Sequence, residues 1–305
     1  MKKVLVTGAT GFVGRHSLLS LSARGYEVHA VTSREKARAI DAPGVVWHRA
    51  DLLDREQVFA LVSKVRPSHM LHFAWYAVPG KFWISPENLR WVQASLDLLR
   101  AFKEAGGKRV VAAGTCAEYE WGREEPCSEA ATPLRPATLY GACKHSLRLM
   151  IEAYSRQEGV SAAWGRGFFL YGPHEHPDRL VASVIRSLLR GDEAGCTHGR
   201  QVRDLLHVAD VADAFVAVLD STVQGAVNIA SGDALALRDD INEIGDQVGR
   251  RDLIKLGAIE APAGEPRIIA ADTKRLKEEI GWRPRRSLET GLSETIAWWR
   301  DNWNG

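Results

Sequence analysis

The sequence has few cysteines, almost no net charge and no long apolar run. Only four of its 305 residues are cysteines, Cys116, Cys127, Cys143 and Cys196, and none forms a C-x-x-C pair. This spacing predicts no metal site and no disulfide framework, and it is typical of reduced thiols in a cytosol. The formal net charge is only +2. Composition therefore gives no reason to expect nucleic acid or an anionic membrane as a partner.

The sequence also lacks the features of a membrane or secreted protein. No window contains about 18 unbroken apolar residues, the length that a membrane-spanning helix needs. The apolar run at residues 4–6 is too short for a signal peptide and fits a buried strand better. We therefore expect a cytoplasmic protein without a membrane span.

Patterns typical of strands and helices alternate along the first half of the chain. Apolar runs at 4–7 and 28–31 flank a glycine-rich turn and a helical pattern, which together form a βαβ unit. Further helices are predicted at 55–65, 91–105 and 139–158. This alternation predicts an α/β fold built on a doubly wound parallel sheet that is covered on both faces. Later in the chain the pattern loosens, which indicates a smaller mixed C-terminal lobe.

Three glycines, Gly8, Gly11 and Gly14, follow the first predicted strand and open a helix. Backbone N–H groups at a helix N-terminus attract a phosphate, and glycine lets the backbone approach it closely. At the first turn of a doubly wound sheet, such a run favours a dinucleotide cofactor. The alternative is a tight turn without a ligand.

Further motifs resemble the extended short-chain dehydrogenase/reductase family, which contains nucleotide-sugar epimerases, reductases and dehydratases. The matching segments are the turn at 7–14, Ala50-Asp51-Leu52, 71–74, 115–119, 140–144, 202–208 and 281–284. The resemblance implies a Rossmann domain made of residues 1–166, with 205–231 returning to it. Residues 167–204 and 232–305 would then form the substrate-binding lobe. Members of this family are often dimers, so we expect a homodimer.

The resemblance implies a nicotinamide dinucleotide and assigns its contacts. They are Gly8, Thr10, Gly11, Phe12, Val13, Gly14, Ser33, Arg34, Asp51, Leu52, Phe73, Ala74, Trp75, Tyr140 and Lys144. An NAD site usually places an acid at the end of the second strand, where it binds the ribose 2′-hydroxyl. Ser33 and Arg34 stand there instead and could bind a 2′-phosphate, which favours NADP(H) over NAD(H). Alternatively, Ser33 caps a helix and Arg34 is solvated.

Tyr140 and Lys144 lie four residues apart and therefore share one face of a predicted helix. A nearby ammonium favours the phenolate, so we expect the tyrosine pKa to lie below its usual value of about 10. Tyr140 can then exchange a proton with a sugar oxygen while hydride moves at the same carbon. The resemblance adds Thr115, whose hydroxyl would orient that oxygen, and implies that Lys144 binds the nicotinamide ribose.

The residues after Thr115 bear on the type of reaction. Dehydratases of the family carry Asp-Glu there, and decarboxylases carry a glutamate, whereas this sequence has Cys116 and Ala117. The comparison disfavours both reactions and leaves ketone/alcohol redox. Family enzymes that epimerise and reduce have a cysteine and a histidine at similar places, so Cys116 and His174 could shuttle protons. The favoured alternative is that Cys116 packs and His174 is a loop residue.

The resemblance also implies how the substrate is bound. Arg203 would contact the diphosphate of a nucleotide sugar, with Arg267 as a second contact. Two asparagines that are usual in the family are replaced by Phe169 and Trp91, which puts the standard diphosphate contacts in doubt. The aromatic tract at 75–83 could stack a base or a sugar, or equally form a packed loop.

The leading hypothesis is an NADPH-dependent reductase of a nucleotide-linked 4-keto-6-deoxy sugar. An NAD-dependent nucleotide-sugar 4-epimerase is the alternative. A regulator that senses NADP(H) without catalysis belongs to another class, and an intact set of Thr115, Tyr140 and Lys144 argues against it.

Overall fold

Strands and helices alternate along residues 2–33 and 42–302, which are the residues that the computed structural model describes. The strands are β1 (Lys3–Thr7), β2 (Glu27–Thr32), β3 (Val46–Arg49), β4 (His69–His72), β5 (Arg109–Thr115), β6 (Ser161–Gly167), β7 (Phe169–Tyr171), β8 (Ala194–Cys196), β9 (Val202–Arg203), β10 (Leu205–His207), β11 (Gly225–Ile229), β12 (Leu235–Ala236), β13 (Ile254–Leu256) and β14 (Ile268–Ile269). The α-helices are α1 (Phe12–Ala23), α2 (Arg55–Val65), α3 (Glu87–Glu104), α4 (Leu139–Glu158), α5 (Leu180–Arg190), α6 (Val208–Asp220), α7 (Leu237–Val248), α8 (Lys274–Glu278) and α9 (Leu288–Asp301).

The central element is a parallel sheet of seven strands in the order β11-β6-β5-β4-β1-β2-β3. Val4 pairs with Val28 of β2 on one side and with His69 of β4 on the other, so the strand order reverses at β1. Where the order reverses, the loops at the carboxyl ends of the strands diverge and leave a crevice in which ligands bind. In this protein the crevice lies beyond Thr7 and His72, the last residues of β1 and β4.

Alternate residues of β1 point to opposite faces of the sheet. Val4 and Val6 join an apolar cluster that includes residues of α1 and α6. Leu5 joins a second cluster that includes residues of α2, α3 and α4. Helices therefore cover both faces, and the predicted doubly wound α/β fold is confirmed.

Helix α4 has the bounds that the sequence predicted. The Thr138 hydroxyl accepts a hydrogen bond from the Gly141 N–H, and Gly159 ends the helix at a positive φ of 68°. Helix α3 starts at Glu87, one turn before the predicted start at residue 91. Pro86 is the N-cap residue of this helix, and its φ of −63° suits a helix start.

Helices α5, α7 and α9 enclose a third apolar cluster, to which Val184, Ile244 and Ile296 belong. Short strands lie around it and form the pairings β8-β13, β7-β10 and β12-β9-β14. None of the helices described is long and apolar enough to span a bilayer. Within the same residues, no group of three or more histidine, cysteine or acidic side chains could hold a metal ion.

Candidate active site

The glycine turn between β1 and α1 is packed so tightly that side chains would not fit. Gly8 has a φ of 65°, and a Cβ there would lie 2.7 Å from the Ala74 backbone nitrogen. A Cβ on Gly14 would lie 2.2 Å from the Gly8 carbonyl oxygen. Gly11 is the N-cap of α1, and no side chain caps that end of the helix. A turn with this close approach and an uncapped helix start fits the pyrophosphate of a dinucleotide.

The other predicted cofactor contacts lie around the same crevice. The Ala74 N–H donates to the Thr7 hydroxyl at 3.3 Å, and Phe73 packs edge-on against Phe215. The exposed Asp51 carboxylate accepts a hydrogen bond from the Leu53 N–H. Thr10, Phe12 and Val13 are half-buried at the turn, Leu52 is buried after β3, and Ser33 is exposed after β2. Arg34 lies outside the described residues.

Thr115, Tyr140 and Lys144 come together at the carboxyl end of β5. Thr115 is the last residue of β5, and Tyr140 is in the first turn of α4. The Tyr140 side chain lies close enough to Thr115 for that residue to influence the pKa of the phenol. The Lys144 ammonium donates to the Ala113 carbonyl oxygen at 2.7 Å, which fixes it beside the same strand end. The three side chains can therefore act on one substrate oxygen and on the cofactor next to it.

The pKa of Tyr140 lies above its usual value, so the expected lowering was wrong for this structure. Burial raises the pKa because it disfavours the phenolate, and the neighbouring Thr115 side chain only partly opposes this effect. Burial also lowers the pKa of the Lys144 ammonium to about 7. Tyr140 is thus a protonated donor, which suits proton delivery to a ketone oxygen.

Glu118 is a buried residue of the site that the sequence analysis missed. Its carboxylate accepts hydrogen bonds from the Thr115 N–H at 3.0 Å, from Trp164 Nε1 at 2.7 Å and from Arg166 Nε at 3.0 Å. The carboxylate completes a capping box with Thr115. A threonine followed three residues later by a glutamate is the pattern that could have revealed it.

Cys116 and His174 lie in different surroundings. Cys116 is buried in an apolar cluster with Tyr119 and Phe168, and burial raises the pKa of its thiol. His174 is exposed, and its ring lies 4.6 Å from that of Trp298. This arrangement supports packing for Cys116 and a loop position for His174.

The two predicted substrate arginines differ in their environment. Arg203 is buried, forms an ion pair with Glu265 and lies close enough to Cys116 to influence the pKa of its thiol. Its guanidinium is 5.4 Å from the centre of the Phe169 ring. Arg267 is exposed and pairs with the equally exposed Glu124. Of the two, only Arg203 is buried, and it lies near Cys116, which follows Thr115 in the chain.

Aromatic rings form one wall beside Tyr140. The ring of Phe82 lies 4.9 Å from that of Tyr140, and the ring of Trp83 lies 5.7 Å away. Trp121 packs edge-on against Trp83 and donates its indole N–H to the Cys116 carbonyl oxygen. Phe82 is buried, whereas Trp83 and Trp121 are half-buried. The aromatic tract is thus partly packed and partly available at the site.

The fold and this site define an oxidoreductase-type enzyme that uses a nicotinamide dinucleotide. Residues 4–230 match the model of the NAD dependent epimerase/dehydratase family, and the chain belongs to that family.

Relatives of known activity match over nearly the whole chain. A dTDP-glucose 4,6-dehydratase of Streptomyces antibioticus is 29% identical, with 98% of this chain and 92% of the relative covered. The UDP-glucose 4-epimerase of Thermus thermophilus, solved with NAD, is 27% identical at a TM-score of 0.86, covering 99% of this chain and 100% of its own. MoeE5, solved with UDP-glucuronic acid and NAD, is 31% identical at a TM-score of 0.85, with the same coverage. The expected family and cofactor class are confirmed.

Proposed function

We propose that the protein is an NADPH-dependent reductase of a nucleotide-linked 4-keto-6-deoxy sugar. The observation that carries this proposal is the convergence of Thr115 and Tyr140, beside which the part of the chain that the structure describes places no uncommitted carboxyl group. Cys116 and Ala117 carry no carboxyl group, and the Glu118 carboxylate is committed to Thr115, Trp164 and Arg166. The site can thus deliver one proton to an oxygen, but it has no acid and base for removing water.

The residues act together on the substrate carbonyl. When bound, a reduced nicotinamide dinucleotide would supply the hydride that adds to the carbonyl carbon. The Tyr140 hydroxyl gives its proton to the carbonyl oxygen, so that the C=O group becomes CH–OH. Thr115 donates a hydrogen bond to the same oxygen and orients it. The Lys144 ammonium would bind the ribose of the nicotinamide and hold the cofactor beside Tyr140.

The aromatic wall supports a deoxygenated sugar as substrate. A methyl group at the sugar C5 is apolar and would lie favourably against half-buried rings such as Trp83 and Trp121. A hydroxymethyl or carboxylate group would lose water there without gaining a hydrogen-bond partner. We propose that residues 167–204 and 232–305 form the lobe that binds the nucleotide part. Arg203 lies in this lobe, beside Cys116.

The preference for NADPH rests on the end of β2. Ser33 is exposed there and places no carboxylate next to the ribose 2′ position. Solved relatives such as the Thermus thermophilus epimerase were crystallised with NAD, so both dinucleotides belong in the assay.

A 4-epimerase is the second candidate, and it is favoured by relatives that bear this name. A UDP-glucose 4-epimerase of Rhizobium meliloti (strain 1021) is 26% identical over 99% of this chain and 96% of its own length. An epimerase returns its hydride to the substrate, whereas a reductase consumes the dinucleotide. We propose to follow absorbance of NADPH and NADH with 4-keto-6-deoxy sugars on dTDP, CDP, GDP and UDP. Net loss with one carrier supports the reductase, and UDP-hexose interconversion without loss supports the epimerase.

We also propose that the protein is a homodimer. Helix α4 presents a stripe at helical spacing, made of Ser146, Leu149, Met150 and Ala153, which are exposed. A second copy of the chain would cover these side chains. Leu149→Glu is then expected to give a monomer in light scattering, whereas Leu19→Glu on α1, at a similarly exposed position, leaves the dimer intact.

A further inference from the structure

The ammonium of Lys144 lies over the rings of two tryptophans, Trp75 and Trp164. Its Nζ atom is 3.8 Å from the centre of the Trp75 ring and 5.8 Å from that of Trp164. The lysine is buried, and the same Nζ donates to the Ala113 carbonyl oxygen. A cation within about 6 Å of an aromatic face is attracted by it, most strongly where water is excluded. The two rings therefore favour the charged form of the lysine in a dry site.

Each indole is fixed by a buried acceptor. Trp75 Nε1 donates to Asn88 Oδ1 at 2.8 Å, and Trp164 Nε1 donates to Glu118 Oε1 at 2.7 Å. Asn88 and Glu118 are both 0% exposed. A Cβ on Gly114 would lie 2.0 Å from Trp164 Nε1, so a glycine is needed there to admit the indole. The rings are thus held in place before any ligand binds.

Asn88 also connects this ring system to Tyr140. Its amide Nδ2 donates to the Phe82 carbonyl oxygen at 2.7 Å and to the Ser85 carbonyl oxygen at 2.8 Å. Between them, the Trp83 carbonyl oxygen accepts the Tyr140 N–H at 3.1 Å. One buried asparagine therefore holds both the ring above Lys144 and the segment that fixes the start of α4.

We propose that Trp75 and Trp164 form a cage that keeps Lys144 charged and aimed at the cofactor, and that Asn88 sets this cage relative to Tyr140. All three are positioning residues for the reductase chemistry proposed above, and the inference rests on that function. They act through Lys144 and Tyr140 rather than on the substrate.

The charged groups around Lys144 stabilise its ammonium only in part. Burial lowers the pKa of Lys144 to about 7, and Glu118 is the negative group that opposes this effect. Glu118 is itself paired with Arg166, with Arg148 3.9 Å away. On the β4 side, burial keeps the pKa of His72 near 3, so that imidazole is neutral. The aromatic faces therefore add a stabilisation of the ammonium that its neighbours supply only in part.

The pH dependence of kcat/KM for ketone reduction separates this role from simple packing. Trp75→Leu and Trp75→Met keep the position apolar but remove the ring, whereas Trp75→Phe keeps an aromatic face. The activity should fall at alkaline pH as Lys144 loses its proton. We expect this alkaline limb of the kcat/KM profile to move to lower pH by about one unit in the Leu and Met variants, and by clearly less in the Phe variant. Trp91→Phe is the matched control, because its ring contacts Trp75 and it should keep the wild-type limb.

The link through Asn88 has its own test. Asn88→Asp keeps an acceptor for Trp75 but places a carboxylate oxygen against the carbonyl oxygens of Phe82 and Ser85. We expect kcat to fall at least about tenfold while the KM for the dinucleotide changes little. The reason is that the substitution disturbs the segment that positions Tyr140, whereas the acceptor for Trp75 is kept.

A measurement of NADPH binding tests the cage independently of the proposed reductase activity. NADPH fluorescence gives the Kd at each pH without turnover, and we expect Trp75→Leu to lose affinity at lower pH than Trp75→Phe does. This result would stand even if no keto sugar were reduced. The cage would be overturned if the Leu and Met variants had the same alkaline limb of kcat/KM and the same pH dependence of Kd as the wild type. This conclusion would not depend on whether the protein is a reductase.

Discussion

The Arg203 guanidinium and the Glu265 carboxylate form an ion pair in which Nη2 and Oε1 are 2.9 Å apart. The other carboxylate oxygen accepts a hydrogen bond from Gln201 Nε2 at 2.7 Å. An arginine and an amide that hold a carboxylate in this way could equally hold a phosphate oxygen. We therefore propose that an anionic group of the substrate would have to compete with Glu265 for Arg203.

Glu265→Gln is therefore expected to tighten the binding of nucleoside diphosphates, by roughly fivefold or about 1 kcal/mol. The free protein should at the same time melt at a lower temperature, because the buried guanidinium loses its partner. Calorimetric titration with dTDP and UDP measures the first effect. Glu124→Gln, at the exposed pair with Arg267, is the control and should change neither quantity. Weaker binding by Glu265→Gln would show that the carboxylate supports the subsite instead.

Gly14→Ala is expected to weaken dinucleotide binding at least about tenfold and to lower stability, because the added Cβ displaces the turn. Its Cβ would lie 2.2 Å from the Gly8 carbonyl oxygen. Gly167→Ala is the control, because a Cβ there would have its nearest neighbouring atom 3.9 Å away. This variant should bind the dinucleotide with the affinity of the wild type. The measurement is the Kd for NADPH and NADH by fluorescence. Equal affinities of the two variants would argue against the glycine turn as the pyrophosphate site.

Cys116→Ala is expected to keep turnover within about threefold, whereas loss of an acid–base group usually costs ~100-fold or more. The reason is that burial raises the pKa of the thiol, which leaves it protonated and poorly suited to exchange protons. Cys127→Ala, in the same apolar cluster, controls for loss of packing. The measurement is the steady-state turnover rate of both variants. A ~100-fold loss of turnover in Cys116→Ala but not in Cys127→Ala would show that Cys116 exchanges protons.

Glu175 makes the stability of the folded protein depend on pH. Burial raises its pKa from 4.5 to about 8. The unfolded chain therefore ionises this group first, and stability falls as pH rises from about 4.5 towards about 8. Glu175→Gln should add on the order of 3 kcal/mol near pH 7 and almost nothing near pH 4.5. Thermal melts across this range measure it, with the exposed Asp178→Asn as control. A constant difference at every pH would contradict the assignment.

The elements that the sequence predicted well are those with local signals. Thr138 and Gly159 mark the two ends of α4 through their own backbone and side-chain chemistry, so the position of Tyr140 in its first turn could be read directly. The glycine turn was likewise predictable, because close packing at Gly8 and Gly14 requires glycine.

The parts that the sequence did not reveal depend on distant partners. Glu118 meets Trp164 and Arg166, and Trp75 meets Asn88, only after the sheet has assembled. The raised pKa of Tyr140 is a result of burial, which spacing to Lys144 does not report. The pairing of Arg203 with Glu265 likewise joins two segments that carry no shared motif.

The most direct test of the proposed reaction is the stoichiometry of NADPH oxidised per sugar alcohol formed, measured with wild type and Tyr140→Phe. We predict one NADPH per product for the wild type, and a loss of at least ~100-fold in rate for the variant. Conversion of a nucleotide sugar without net NADPH or NADH oxidation, or wild-type turnover by Tyr140→Phe, would contradict the account.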